Sequence, residues 1–478
     1  MKLEEIEQVE EYVYRIYKEG FSKTEALLFA NQKILDDIVK DQSLQQILNV
    51  TSLRGVKFVF IMPDVHWGYG FPIGAVVCTD YEEEGVISPG GIGFDINCGV
   101  RLLKTNLIFH ELKENLKEKL LDVLYDYVPS GVSSESDIKL SKSELRKVVE
   151  KGLNWALEND MATPEEIELV EDKGVKEEID TDCVSDEALE RGKSQLGTLG
   201  SGNHFLELQI VEEVFNEEAA KVLGIYKNQI VVMIHCGSRG FGHQIATDYV
   251  NIMLKSMPKY GINVPDKQLA CVPASSSEGQ KYIKAMNTAA NFAHLNRQII
   301  THKVRQAFKK VLGKEVKIET VYDISHNMAS IEDYPLKNKN IKLIMHRKGA
   351  TRALPPGHKS LPSKYKSIGQ PVFIPGDMGR YSFILVGTQK AYELTCGHTC
   401  HGAGRVKSRN AAKKEIDYKT LLEDLKRKGI SIRASSKSTV VEEAPQAYKD
   451  ASIVVDIVNK VGISSIVAKL KPIGVVKG

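Results

Sequence analysis

Phe58-Val59-Phe60-Ile61-Met62 begins a region unlike the residues before it: a run of aromatic and aliphatic side chains, after which glycine recurs at 68, 70, 74, 85, 90, 91, 93 and 99. Short apolar runs bounded by glycine read as buried strands joined by tight turns. Ile73 to Val77 and Arg101 to Thr105 repeat the pattern. Strand-like runs return at Phe205 to Val211, Ile230 to Ile234, Val316 to Tyr322, Ile341 to Met345, Val372 to Ile374 and Ser382 to Val386. Helical stretches intervene, notably about 278–312, and no Pro/Gly/Ser-rich linker divides the chain. The expected class is α/β, in a complex α+β arrangement: one large mixed-sheet domain over 1–478, surrounded by helices. Upstream, Leu3, Ile6, Val9, Val13 and Ile16 recur at helical spacing before Gly20, and Ser22-Lys23-Thr24-Glu25 reads as a capping box opening a second helix to about Lys40. Residues 1–55 are thus predicted to form a helical N-terminal segment. Residues 108–190 read as helical, and 161–190 carry twelve acidic side chains against two lysines, the composition of a solvated surface insertion.

The 478 residues are 42% hydrophobic and 26% charged, which supplies a large core and excludes general disorder. Lys plus Arg number 64 against 62 Asp plus Glu, a net charge of +2 that alone points to no charged partner. That figure averages opposed regions, because residues 401–440 hold eleven basic side chains against four acidic ones. Seven cysteines, at 78, 98, 183, 236, 271, 396 and 400, are too sparse and irregular for a disulfide scaffold. No apolar signal core follows Met1, and no run of about 18 apolar residues occurs. The expectation is a cytoplasmic protein without a membrane partner, its thiols reduced and free for metals or chemistry.

The common nucleotide motifs are absent. Gly192-Lys193-Ser194 has Glu187 where a P-loop needs its first glycine, Gly91-Ile92-Gly93 has Ile96 where a dinucleotide fingerprint needs its third, and no Asp-Gly pair exists for a lysine-based nucleotidyl transfer. Metal-ligand types gather instead at turns and strand ends: Asp95 and Cys98 in Gly90-Gly-Ile-Gly-Phe-Asp-Ile-Asn-Cys-Gly99, His204 in Gly200-Ser-Gly-Asn-His204, His235 closing the apolar run from Ile230, and His326 in Tyr322-Asp-Ile-Ser-His-Asn327. One strand-end histidine is commonly just a hydrogen-bonded polar residue. Jointly, Asp95, Cys98 and three histidines could hold two divalent cations with a bridging thiolate, an arrangement suited to phosphoryl or nucleotidyl transfer. A fifth segment, Cys396-Gly-His398-Thr-Cys400-His401-Gly-Ala-Gly404-Arg405, has two readings. It is dense enough in ligands for a structural zinc site. Alternatively, Gly402-Ala403-Gly404 and Arg405 accommodate a phosphate while His401 attacks it as a nucleophile.

These segments, with Gln195 to Glu207, His235-Cys-Gly-Ser-Arg-Gly240 and His346-Arg-Lys-Gly-Ala-Thr-Arg352, resemble the RtcB-type RNA-splicing ligases from about Phe58 to Gly478. The resemblance implies a GTP-dependent ligase with two Mn²⁺ that seals RNA 3′-phosphate or 2′,3′-cyclic-phosphate ends, as in tRNA halves, to 5′-hydroxyl ends. It implies Asp95, Cys98 and His204 on one metal, Cys98, His235 and His326 on the other, and His401 as the guanylylated histidine. It implies GTP contacts from Asn203, His204, Phe205, Leu206, Glu207, His326, Asn327, Pro375, Gly376, Asp377, Met378, Ser382, Gly402, Ala403, Gly404 and Lys477, and an archease-type activating protein as a partner. The Mn²⁺ preference comes from the resemblance alone, since Cys98 with three histidines is soft enough to invite zinc. Arg191, Arg239, Lys348, Arg405 and Arg409 are the candidate RNA contacts, with Lys193, Arg347 and Arg352 beside the same motifs. His66 in Pro63-Asp-Val-His-Trp67 is placed either near RNA or metal, or in the core beside Trp67. Three departures from the family's usual pattern stand out: Asp377 in place of serine, Cys396 with His398 in place of Phe and Ser, and the Gly131-Val-Ser-Ser-Glu135 turn. Asp377 puts a carboxylate near the nucleotide, where repulsion weakens GTP unless a metal or Lys477 compensates. The competing readings are a dinuclear metal phosphoesterase and a catalytically inactive RNA-binding relative.

Overall fold

Val56–His66 and Ile73–Asp80, the strands expected around Phe58 and Ile73, pair antiparallel inside a seven-stranded sheet. Its order is Ile6–Glu10, Val13–Ile16, Ala26–Phe29, Val56–His66, Ile73–Asp80, Lys339–Lys348 and Asn327–Leu336. The computed structural model describes residues 5–336 and 339–478. A second sheet runs Ile318–Ser325, Gly99–Ile108, Gln229–Cys236, Phe205–Val214, Ser464–Lys477, Ser382–Gly387 and Pro371–Ile374, and Ser431–Ala434 pairs parallel to Ser464–Lys477. Helices and mixed sheets together make the fold α/β.

The apolar run Ile230 to Ile234 is buried on both faces of the second sheet. Ile230, Val232 and Ile234 meet Leu120 and Leu124 of helix Glu114–Tyr127 and Ile300 and Val304 of helix Ser277–Leu312, whereas Val231 and Met233 meet Leu102, Val321 and Phe373. Two covered faces explain why the strand lacks polar alternation. Ser325 ends a strand of the second sheet and Asn327 begins one of the first, so the chain crosses between sheets through His326 alone.

The N-terminal segment is not helical where the sequence predicts it. Ile6–Glu10 and Val13–Ile16 form an antiparallel hairpin turned at Tyr12, whose φ is +64°, and Ala26–Phe29 adds a third strand. Ile6, Val9, Val13 and Ile16 are all β-branched, and that side-chain class fits a pleated surface better than a helix. Leu3 lies outside the described residues. Of the expected second helix only Gln32–Lys40 forms, capped by the Asn31 side chain rather than by Ser22; Ser43–Thr51 is a further helix.

The acidic stretch at 161–190 is also more than a solvated insertion. Glu166 and Glu171 are buried, Glu166 paired with Arg305 and Glu171 with Arg347 at 2.8 Å and Arg352 at 3.2 Å. Glu171 thus neutralises guanidinium groups of the sheet and Glu166 one of helix Ser277–Leu312, which composition alone does not reveal.

Candidate functional site

Four strand ends of the second sheet meet at one place. In register, Gly99 faces Cys236 and Ser325, while His235 faces Val100 and Phe205. Cys98, His204, His235 and His326 therefore arrive together although they are far apart in the chain. The loop before Gly99 is tied to the sheet crossing by two backbone bonds: His326 N donates to Cys98 O at 2.9 Å and Asn97 N to Asn327 O at 2.7 Å.

The side chains converge tightly. Cys98 Sγ lies 3.2 Å from His235 Nε2 and 3.5 Å from His204 Nε2, His235 Nε2 lies 3.3 Å from His326 Nε2, and His204 Nε2 lies 2.7 Å from Asp95 Oδ2. Two triads result, Cys98/His235/His326 and Asp95/Cys98/His204, each with donor atoms within 4.8 Å of one another and sharing Cys98. Asp95 Oδ1 is buried without a hydrogen-bond partner, an orphaned acceptor that a cation satisfies. This donor set is suited to divalent cations, and the two triads have the Cys98 sulfur in common. Burial holds the His235 and His326 pKa values well below the ordinary imidazole range, which keeps both rings neutral and fit to ligate. Burial also disfavours a His204 cation, but Cys236, Asp95 and Cys98 outweigh it and hold that pKa high. The Cys98 thiol is pushed up to about 12 by burial, with Asp95 adding to the effect.

Helix Ser277–Leu312 supports this cluster from behind with buried polar side chains. Arg297 Nη1 donates to Asn97 O at 2.8 Å and Cys236 O at 3.0 Å, while its Nε and Nη2 hold Asp323. The Asn296 side chain accepts from Gly197 N at 2.7 Å and donates to Gly237 O at 3.2 Å. One helix thus fixes the backbone beside Cys98, His204 and His235.

His401 approaches from the other sheet. It follows His398–Cys400, which pairs with Ala350–Arg352. Asp64, near the end of Val56–His66, takes the His401 ring with Oδ2 2.6 Å from Nδ1, and the same oxygen accepts from His401 N at 2.9 Å and Gly402 N at 3.1 Å. Burial pushes the Asp64 pKa up, but the His401 contacts prevail and hold the carboxyl below its ordinary range. The His401 ring centroid lies 4.9 Å from that of His326. Gly404 closes this turn with φ +75°, and a Cβ there would fall 2.2 Å from Asp64 O, so only glycine allows the approach.

A cavity of ≈ 310 Å³ opens over both groups. Among the residues expected to contact a nucleotide it is lined by Asn203, Phe205, Glu207, His326, Asn327, Pro375, Gly376, Asp377, Met378, His401, Gly402, Ala403, Gly404 and Lys477. Leu206 is not among them: strand alternation turns its side chain into the core opposite Phe205 and Glu207. His204 lies beneath the lining, and Ser382 accepts from Gly376 N at 3.1 Å, supporting the turn rather than facing the cavity. The Glu207 carboxyl is pushed up to about 7 by burial, against the opposing pull of Gln209 and Lys477. Lys477 is buried, 3.8 Å from Glu443. The Asp377 carboxylate is paired with Arg380 Nε at 2.5 Å and Gly379 N at 3.0 Å rather than with Lys477.

Sequence reasoning missed two acidic residues here. Asp64 shares one face of its strand with His66, so alternation from the noted histidine could have found it. Glu443, buried among Arg405, Arg409, Tyr448 and Lys477, follows an ordinary polar helix and carries no local signal. His66 is buried, its Nδ1 3.0 Å from Asp64 O, and lines the cavity.

The candidate RNA cations divide. Lys348 is buried, donating to Tyr69 O and Phe71 O, its pKa lowered by burial to about 7, yet it lines the cavity. Arg405 lines it too, held by Glu443 at 3.1 Å and stacked on Tyr448. Arg409 reaches the cavity with a side chain 54% exposed. Arg239 is directed inward to Thr198 Oγ1 and Gly131 O, and Arg191 is exposed and bonded to Gln244. Arg347 and Arg352 are committed to Glu171. The zinc reading of 396–401 finds no support: Cys396 lies against Cys78 and Tyr334, His398 Nδ1 lies 3.2 Å from Thr395 O, and neither metal triad includes Cys396, His398 or Cys400.

Comparison with known proteins gives one consistent result. A family model described as tRNA-splicing ligase RtcB matches residues 46–478. A protein of that name from Aeropyrum pernix is 49% identical over 98% of this chain and 99% of its own length. Namesakes from Archaeoglobus fulgidus and Nanoarchaeum equitans are 48% and 47% identical, over 97% and 99% of this chain and 96% and 99% of theirs.

Proposed function

The chain belongs to the tRNA-splicing ligase RtcB family, and from that premise we propose that it is a GTP-dependent ligase joining RNA 3′-phosphate or 2′,3′-cyclic-phosphate ends to 5′-hydroxyl ends. The observation that carries the reading is the Asp64–His401 pair set against the two metal triads within one cavity. Because Nδ1 of His401 faces the Asp64 carboxylate, Nε2 is left for an electrophile, and the carboxylate stabilises the imidazolium that forms.

Asp95, Cys98, His204, His235 and His326 would hold two divalent cations, Mn²⁺ by family resemblance. When bound, those cations neutralise phosphate charge and polarise phosphorus–oxygen bonds. The protein's own residues supply the rest. Glu207 accepts from guanine N1 and N2 hydrogens while Lys477 donates to O6. His401 Nε2 then forms a bond to the α-phosphorus of GTP as the bond to the β-phosphate oxygen breaks, releasing pyrophosphate. Water opens a cyclic phosphate to a 3′-phosphate, whose oxygen takes GMP from Nε2 and restores the neutral ring. The 5′-hydroxyl oxygen attacks the activated 3′-phosphate, its proton passes to solvent, and GMP leaves. Phosphate cations come from Arg405, Arg409 and Lys348, which line the cavity, with Arg239 and Arg191, outside its lining, as further candidates. RNA is the partner, tRNA halves in particular, with an archease-type protein as activator. Among the described residues no helix is long and apolar enough to cross a membrane, and the proposed location is cytoplasmic.

Asp377 is the only departure that favoured an inert RNA-binding relative, and its pairing with Arg380 removes the charge conflict that argued for one. The test is incubation with α-labelled GTP and Mn²⁺, followed by sealing of a stem-loop pair with 3′-phosphate and 5′-hydroxyl ends. A GMP adduct lost in His401→Ala, and sealing lost in both His401→Ala and Cys98→Ala, are expected. An unlabelled protein that still hydrolyses phosphoesters would make it a dinuclear phosphoesterase instead.

A further inference from the structure

Trp67 is out of keeping with its surroundings. Across residues 59–80 it is the only exposed position, the residue being 54% exposed. It stands between His66 and Tyr69, both of which line the cavity, just past the end of the strand that delivers Asp64 to His401. Extended chain advances ~3.3 Å per residue, so the indole is anchored roughly 10 Å from the Asp64–His401 contact.

The exposure is not that of a loose loop, because the backbone around the indole is fixed from several directions. Trp67 N donates to Asp41 Oδ2 at 3.2 Å, Gly68 N to Gln46 Oε1 at 3.0 Å, and Gly70 N to Gln268 Oε1 at 2.9 Å, while Gln46 Nε2 returns a bond to Gly68 O at 2.6 Å. Lys348 clamps the next carbonyls. A large aromatic side chain is thus presented to solvent from a rigid base, at low conformational cost to any partner that covers it. The neighbouring rim has the complementary character. Gly404 packs on the Asp64 carbonyl, Arg405 follows it into the cavity, Val406 is 47% exposed, and Arg409 extends into solvent. Cations that take phosphates beside an exposed ring that takes a base are the two components of single-stranded nucleic acid binding.

We infer that Trp67 is a stacking platform for a nucleobase adjoining the reacting end of the RNA. This rests on the ligase reading above. The ligand is an unpaired base on a strand ending at His401, from either the 3′-phosphate or the 5′-hydroxyl strand.

Trp67 and Trp155 are the two tryptophans of the chain, so full-length Trp155→Phe protein reports Trp67 fluorescence alone. Single-stranded oligoribonucleotides with a 3′-phosphate, and others with a 5′-hydroxyl and no phosphate, are titrated separately. Saturable quenching by one of them identifies the strand. Trp67→Ala is expected to raise the KM for RNA on the order of tenfold, with Trp67→Phe recovering most of it, while GMP loading of His401 in the absence of RNA stays at the wild-type rate. The inference is overturned by unquenched fluorescence at oligonucleotide concentrations that saturate filter binding. It is equally overturned by an unchanged KM in Trp67→Ala, by a fall in RNA-independent GMP loading, or by a defect seen only when an activating protein is added, which would make the indole a protein contact. Wild-type protein that neither loads GMP nor seals RNA refutes the ligase reading itself, a result separable from all of these.

Discussion

Asp64 determines which nitrogen of His401 is left open to the cavity: Oδ2 takes Nδ1 and leaves Nε2 for the proposed reaction. With Oδ2 2.6 Å from Nδ1 and two backbone N–H groups on the same oxygen, Asp64→Asn keeps the shape but removes the charge that stabilises an imidazolium. The rate of GMP loading is expected to fall by roughly 10²–10⁴-fold, measured as adduct formed per unit time at saturating GTP. Glu207 sets a pH dependence. Its carboxyl ordinarily titrates near 4.5 but is pushed up to about 7 here by burial. The folded state therefore holds a proton between those values that the unfolded state has lost, and the contribution of this residue makes stability fall as pH rises across that window. Function runs the opposite way. In the proposed guanine contact only the carboxylate accepts both hydrogens, so KM for GTP is expected to rise as pH drops below 7, by up to about tenfold per unit, and to be nearly flat in Glu207→Gln. Residues of this kind were unevenly legible. Cys98 and the histidines stand in glycine-rich or apolar contexts that mark them, whereas Glu443 is one acid among many until Arg405 and Lys477 are folded around it.

Helix Ser277–Leu312 shows what an element can contribute without touching substrate. Arg297→Met would leave Asn97 O and Cys236 O without their donor and Asp323 with less compensation. The expected cost is roughly 3–5 kcal/mol, read as a lower urea midpoint, and Arg297→Lys is expected to recover little because an ammonium cannot span three acceptors at once. The sequence marked a helical stretch at about 278–312, but nothing in it announced which polar side chains lie buried among the apolar ones, because the partners are backbone carbonyls up to 200 residues away. The strand at 229–236 was legible because both faces are covered and its run from Ile230 to Ile234 is purely apolar, whereas the runs at 205–211 and 341–345 were legible although Glu207, Gln209 and Lys342 interrupt them. The N-terminal hairpin was not: Ile6, Val9, Val13 and Ile16 fit a helical period by spacing, and only pairing with Ala26–Phe29 shows that β-propensity wins.

At the scale of the molecule, the metal triads draw on residues from 95 to 326 and stand where the two sheets are joined through His326. Cation binding should therefore stabilise the whole fold. At a free concentration 100 times Kd the linkage amounts to about 2.7 kcal/mol, seen as a rise in melting temperature with Mn²⁺ that a chelator reverses. Loading must also displace protons, because the buried Cys98 thiol and the His204 cation both have to lose theirs. Calorimetry near neutral pH in buffers of different ionisation enthalpy should give about two protons released when both sites fill; a buffer-independent heat would contradict the arrangement. One further property of the architecture concerns synthesis. Ser464–Lys477 lies between Phe205–Val214 and Ser382–Gly387 and pairs with both, yet it is translated after them. Until it emerges, each neighbour has an open edge facing the gap, the kind of edge that recruits other chains. A nascent chain stalled before residue 464 thus carries both candidate metal triads and His401, but neither Lys477 nor the strand that joins the two parts of the second sheet, and its expected hazard is aggregation.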